Sequence, residues 1–256
     1  MDEFFSDFEK YRISKRVKIS TMDSIIRNNI EDFSRNEIDV LFRGYIVLIY
    51  AFWEGSYKML ITTLYNFCRN LKIRNLPFNI RNPVVINLAT YRKNTNYKIS
   101  EIKDYNYIIE INDDIQSFLN KRLNSCLQDP KLEKNIMQCF KVDSNNPNYN
   151  IFTKFLSKYS LSLNKIITNC IEDNLIPNNF KEILDFIISA RNSIAHGYEH
   201  LDQYIDYRDY IESKFLNIDK KNTEGVSDFL RDSTFYMNIL YSQIVQAFKD
   251  RYMHHE

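Results

Sequence analysis

The stretch "EIDVLFRGYIVLIYAFWEGSYKMLITTLYNFCRN", Glu37–Asn70, decides the fold. It runs its whole length without a proline and is apolar on nearly every side. A helix with no polar face has to be buried all round, so this segment predicts a central core helix. It is still no membrane span. The longest apolar run, Tyr45–Trp53, is too short to cross a bilayer and is followed at once by Glu54.

Outward from that helix, the pattern stays helical. Met22, Ile25, Ile26, Ile30 and Phe33 recur at helical spacing, so roughly 2–36 reads as one or two amphipathic helices. On the C-terminal side, Pro77 and Pro83 interrupt the chain, and Leu76–Asp113 reads as a connection or insertion, with "DYNYIIEIND" as a short strand or a loop. Helical periodicity returns in "DDIQSFLNKRLNSCL", "KLEKNIMQCFK", "YNIFTKFLSKYS" and "SLNKIITNCIEDN". Pro177 then opens "NNFKEILDFIISARNSIAHG", with Asn179 as N-cap, Glu182 as its capping-box partner and Gly197 just past the helix end. Leu201–Phe215 and Val226–Tyr252 give two closing helices. The expectation is an all-α single domain over 1–256, with core helices at about 37–70 and 150–252 and an inserted or connecting segment at about 76–143.

Charge narrows the function classes. The net charge of +1 excludes a grossly basic nucleic-acid binder. Yet Gly55–Ser100 holds Lys58, Arg69, Lys72, Arg74, Arg81, Arg92, Lys93 and Lys98 and not one Asp or Glu. Such a segment either forms a local basic face able to attract phosphates or is a solvated run of loops. The four cysteines lack C-x-x-C spacing and sit in apolar contexts, which reads as reduced core thiols. The N-terminus is acidic with no apolar leader core, so a cytoplasmic protein is expected.

The chemistry concentrates in "SARNSIAHGYEH", Ser189–His200. Asn192 and His196 lie four apart and share a helix face, and the long side chain of Arg191 reaches the same spot. The negative end of the helix dipole favours an imidazolium at His196, which suits a group that takes and gives protons near neutrality. Arg offers planar, permanently charged donors to phosphate oxygens. RNA brings its own nucleophile, the 2′-hydroxyl, so a His and an Arg suffice without a metal. No metal-ligating constellation accompanies them, and neither metal nor cofactor is expected. Taken alone, the pattern also fits a polar C-terminal helix cap.

"RNSIAHG" resembles the R-N-x-x-x-H signature of the HEPN superfamily. "LFRGYIVLIYAFWEGSYK", Leu41–Lys58, resembles the first core helix of a bacterial HEPN-like nuclease branch, through Tyr50-Ala51-Phe52-Trp53-Glu54-Gly55 and Lys58. "NNPNYNIFTKFLSKYSL" is similar to that branch's stretch before the signature helix. Together these cover about half the chain in matching order, whereas 76–143 matches least. The resemblance implies an up-down helical bundle with peripheral helices and a metal-independent endoribonuclease. It also implies a homodimer joined across the Arg191–His196 helix, with RNA in the composite groove. Arg191 and His196 would be the catalytic pair and Asn192 would orient the His or the phosphate. A toxin or defence role is implied by the same likeness, with a cognate antitoxin or regulator as a further partner and no membrane. The alternative within the resemblance is a non-catalytic HEPN module that binds RNA, a nucleotide or a protein. Glu54 and Lys58 are supporting candidates: they form either an i,i+4 ion pair or, through Glu54, a device that orients Arg191. Trp53 reads as core rather than as a base-stacking platform.

Overall fold

The computed structural model describes residues 3–29, 31–92, 116–127, 129–142, 147–196, 207–220 and 222–253. "DYNYIIEIND", Gly197, Tyr198, His200, His254 and His255 lie outside them, and so does the side chain of His196. No strand occurs among the described residues. The chain gathers into two compact units. One holds Met1–Phe5, Leu60–Asn145 and Asn150–Leu163; the other holds Ser6–Met59, Asn146–Tyr149 and Asn164–Glu256.

The second unit is a bundle. Its helices are α1 (Glu3–Asn28) and α2 (Arg35–Arg69), both of which also contribute to the other unit, together with α6 (Leu163–Glu172), α7 (Phe180–His196), α8 (Tyr207–Lys214) and α9 (Thr223–Tyr252). A capping box starts α2. The Ser34 N–H donates to Glu37 Oε2 at 2.8 Å, and the Glu37 N–H returns a longer bond to Ser34 Oγ at 3.4 Å. At the head of α7, the Asn179 carbonyl accepts the first helical bond, from the Ile183 N–H at 3.1 Å, which makes Asn179 its N-cap residue.

Side-chain packing fixes the helix directions. Tyr11 meets Gly55 and Met22 meets Gly44, so α1 and α2 run antiparallel. Phe8 packs on Tyr241, the Arg12 guanidinium bonds Asn238, and the Ser227 hydroxyl donates to Asp23, so α1 and α9 are also antiparallel. Arg12 is buried, with Nη2 donating to the Asn238 carbonyl at 2.6 Å and to Ser242 Oγ at 2.8 Å. Burial depresses its pKa, and the neighbouring Glu9 carboxylate opposes that. Trp53 is fully buried, as its sequence context predicts. Its ring lies against Tyr241, and its Nε1–H donates to the Pro147 carbonyl at 2.6 Å.

The first unit takes in the C-terminal part of α2 with α3 (Phe78–Arg92), α4 (Pro130–Phe140) and most of α5 (Tyr149–Lys158). The stretch that reads as a connection or insertion thus contains a helix, α3, with Pro83 inside it. Asp129 caps α4, accepting from the Lys131 and Leu132 N–H groups at 2.8 and 3.0 Å, and Pro130 sits at the first helical position. Among its described residues, "DDIQSFLNKRLNSCL" is helical at 116–119 and then tightens into a 3₁₀ turn at Leu123–Cys126. Cys68 and Cys139 are buried free thiols whose pKa values burial pushes up, Cys139 to about 11.

Candidate functional site

The signature residues occupy the C-terminal turns of α7, whose inner face is the buried run Phe180, Ile183, Leu184, Ile187, Ile188 and Ala190. That stripe seats the helix. It leaves Arg191, Asn192 and Ser193 half-buried at the edge of the core. His196 is the last described residue of the helix.

Arg191 is held from below by α2. Its guanidinium carbon lies 4.5 Å from the centroid of the Tyr50 ring. Nη1 donates to Asn192 Oδ1 at 3.1 Å, the one hydrogen bond the guanidinium makes among the described residues. A cation over an aromatic ring is held by the ring quadrupole and not by a conventional hydrogen bond.

Tyr50 is buried, and its hydroxyl bonds the Glu54 carboxylate. Burial first, then the negative charge of Glu54, push the Tyr50 pKa up to about 12, while Arg191 pulls the other way. Glu54 Oε1 also pairs with Lys58 Nζ at 2.6 Å, the i,i+4 ion pair expected from the sequence. Tyr11 of α1 feels Glu54 too: burial, then that carboxylate, raise its hydroxyl pKa. A string of interactions therefore runs Lys58–Glu54–Tyr50–Arg191–Asn192, linking two of the three sequence segments that carry the resemblance. Glu54 reaches Arg191 through Tyr50.

Tyr50 opens the Tyr50–Gly55 stretch that carries the resemblance, but nothing in the sequence gives it a role at the site. Its i,i+4 spacing to Glu54 puts both on one face of α2. The other side of α7 carries no sequence candidate. Ser193, inside the signature, hydrogen-bonds Tyr207 of α8, whose hydroxyl donates to the Ala190 carbonyl at 3.3 Å. A cleft of about 230 Å³ opens there, lined by Phe186, Ser189, Ala190, Ser193, Tyr207 and Tyr210. Arg43 of α2 stacks on Tyr207 at 5.1 Å while its Nε donates to Asp39 at 2.6 Å.

Among the described residues no three His, Cys, Asp or Glu side chains gather in a way that could hold a metal. No described helix is long and apolar enough to cross a membrane.

The profile of the RiboL-PSP-HEPN family matches residues 11–224, a span that includes both the Trp53-Glu54-Gly55 turn and the Arg191–His196 signature. No curated protein and no solved structure matches the chain. HEPN domains are helical bundles, which agrees with the helices described above, and the match suggests a nuclease or RNA-binding helical module. On a match over most of its length, the chain belongs to the RiboL-PSP-HEPN family.

Proposed function

We propose that the protein is a metal-independent endoribonuclease in which His196, Arg191 and Asn192 form the catalytic set. The observation that carries this reading is the seating of Arg191. Its guanidinium carbon lies over the Tyr50 ring, and the side chain is half-buried on the same helix end as His196. A permanent cation held over a ring at the edge of a core suits an anionic phosphorus centre better than it suits a helix cap.

In the reaction, the RNA 2′-oxygen attacks the adjacent phosphorus while its proton passes to a base. The bond from phosphorus to the 5′-oxygen breaks, and that oxygen takes a proton from an acid. The products are a 2′,3′-cyclic phosphate and a 5′-hydroxyl, with no water consumed. His196 is base or acid, and in a homodimer joined across the Arg191–His196 helix the two copies divide these roles. Arg191 neutralises the phosphorane, and Asn192, tied to Arg191, positions it. The same reading makes the protein a toxin or defence effector, held in check by a cognate antitoxin or regulator.

The Arg191–Asn192 bond favours a second reading, a non-catalytic HEPN module in which the signature is structural and binds RNA, a nucleotide or a protein. The test is cleavage of total RNA in EDTA with the product ends mapped. Wild type should leave cyclic-phosphate ends, and His196→Ala should cut about 10²- to 10⁴-fold more slowly. Equal cleavage by both proteins sinks the nuclease.

A further inference from the structure

We propose that the unit built around α3 and α4 carries a single-stranded RNA-binding surface of its own, distinct from the signature residues. The choice of RNA as ligand rests on the function proposed above.

Two segments far apart in sequence meet here. The Ile73 N–H donates to the Lys121 carbonyl at 2.9 Å, and the Leu123 N–H donates to the Leu71 carbonyl at 3.0 Å. This short antiparallel bridge pairs Lys72 with Arg122. Neither Gly55–Ser100 nor 116–127 contains an acid, so their pairing concentrates positive charge with nothing of opposite sign in either segment. Lys72, Arg74, Lys121 and Arg122 are exposed. Arg81 is drawn in from α3, its Nη1 donating to the Arg74 carbonyl at 3.0 Å, and Arg74 in turn donates to Asn120 Oδ1 at 3.0 Å. Among the described acids nearby, Glu133 pairs with Arg69 at 2.9 Å, and Asp129 caps α4.

A cleft of about 430 Å³ opens beside these cations. It is lined by the polar Arg74, Arg81 and Asn82 and the apolar Val85, Ile86 and Leu119. Phe78, 61% exposed, stands at the start of α3 with the Arg81 guanidinium 5.5 Å from its ring centre. Lys121 lies over Phe118 in the same way. Cations that follow a phosphate backbone, an exposed aromatic face and an apolar recess with an amide in its lining are the parts a single strand needs. Phosphates take the charge, and an unstacked base takes the ring or the recess. A duplex offers no free base face, and an acidic protein would leave the exposed Phe78 unexplained.

The test is fluorescence anisotropy of a labelled oligo(U) of about ten nucleotides, within the usual single-strand site sizes. It uses the full chain carrying His196→Ala to prevent cutting. Lys121→Glu/Arg122→Glu should weaken binding at least about tenfold and flatten the salt dependence, by about 0.7 in log–log slope for each phosphate no longer neutralised. Lys72→Glu/Arg74→Glu, from the other segment, should do the same, which guards against one pair merely misfolding. Phe78→Ala should weaken binding about tenfold and leave the salt slope unchanged, because stacking releases no counterions. Lys10→Glu/Lys18→Glu on α1, with the same change in charge, is expected to bind like the parent. Parent-like binding by both pairs in the bridge, or an equal loss in the α1 control, overturns the inference. The outcome is separable from the nuclease question: a chain that never cuts RNA still reports on this surface.

Discussion

The bracing of Arg191 by Tyr50 makes a prediction whose size can be worked out. A cation over an aromatic face contributes about 0.5–1 kcal/mol when exposed and about 2 kcal/mol or more when desolvated. Here the ring is buried and the guanidinium half-buried, with 4.5 Å between the guanidinium carbon and the ring centre, so the value falls at about 1–2 kcal/mol. If that energy holds Arg191 where the phosphorane forms, losing it slows the chemical step by about 5- to 30-fold. Tyr50→Leu removes the π face while keeping an apolar side chain in the core. Tyr50→Phe keeps the face and deletes only the hydroxyl that bonds Glu54, a carboxylate that retains Lys58 at 2.6 Å. The expected order under single-turnover, metal-free conditions is therefore wild type, then Tyr50→Phe within about threefold, then Tyr50→Leu slower by the factor above. Arg191→Lys should fall further, because an ammonium can sit over the ring but cannot present a planar pair of donors. Thermal melts show whether each variant is folded at the assay temperature. Wild-type cleavage by a folded Tyr50→Leu would refute the reasoning. So would a Tyr50→Phe as slow as Tyr50→Leu, which would place the effect in the Glu54 hydrogen bond instead of the ring.

Two further predictions concern the bundle itself. Burial raises the pKa of Tyr45, Tyr50, Tyr57 and Tyr65, all on α2, with the last three pushed up to about 12 from an ordinary 10.0. The folded state therefore binds more protons than the unfolded state above pH 10, so the melting temperature should hold below pH 10 and drop steadily as pH rises from 10 towards 12, in step with phenolate absorbance. A flat profile across that window would mean that these phenols are not buried as described. Gly55→Ala places a Cβ on top of the Tyr11 hydroxyl and 2.7 Å from its Cζ. In the parent, overpacking of about 1–3 kcal/mol should outweigh the roughly 1 kcal/mol that Ala gains over Gly in a helix. In a Tyr11→Ala background the same change should stabilise, and chemical denaturation of the four proteins in that cycle would show the reversal of sign or its absence.

How much of the fold is legible in the sequence depends on whether the deciding forces are local. The apolar run of α2 announces a buried helix directly. Its start is also written in the chain, since Ser34 and Glu37 have capping-box spacing, although the apolar pattern by itself begins only at Glu37. Helix α3 is concealed by Pro77 and Pro83, which read as breaks. An interior proline costs a helix about 3 kcal/mol. Against that, α3 buries Ile80, Val84, Val85, Leu88 and Ala89, a stripe at helical spacing in which each of the larger side chains contributes about 1.5–3 kcal/mol. The tertiary term is the larger one, and no local rule could supply it.

The same distinction separates the functional surfaces that the sequence displays from those it hides. Arg191, Asn192 and His196 form a local pattern, so the sequence displays it. Tyr50 belongs to another helix, and only the packing of α2 on α7 says which of many aromatics lies under the arginine. Glu54 has two roles open to it in the sequence, ion pair or orienting group. In the bundle it makes the ion pair with Lys58 and also grips Tyr50, so holding one partner does not exclude the other. The acid-free run Gly55–Ser100 hints at a basic face, but two of the five cations proposed to bind RNA, Lys121 and Arg122, lie beyond that run. Charge counted along the chain could not join them. Two backbone hydrogen bonds do, and they turn a compositional bias into a surface with a cleft and an exposed aromatic ring.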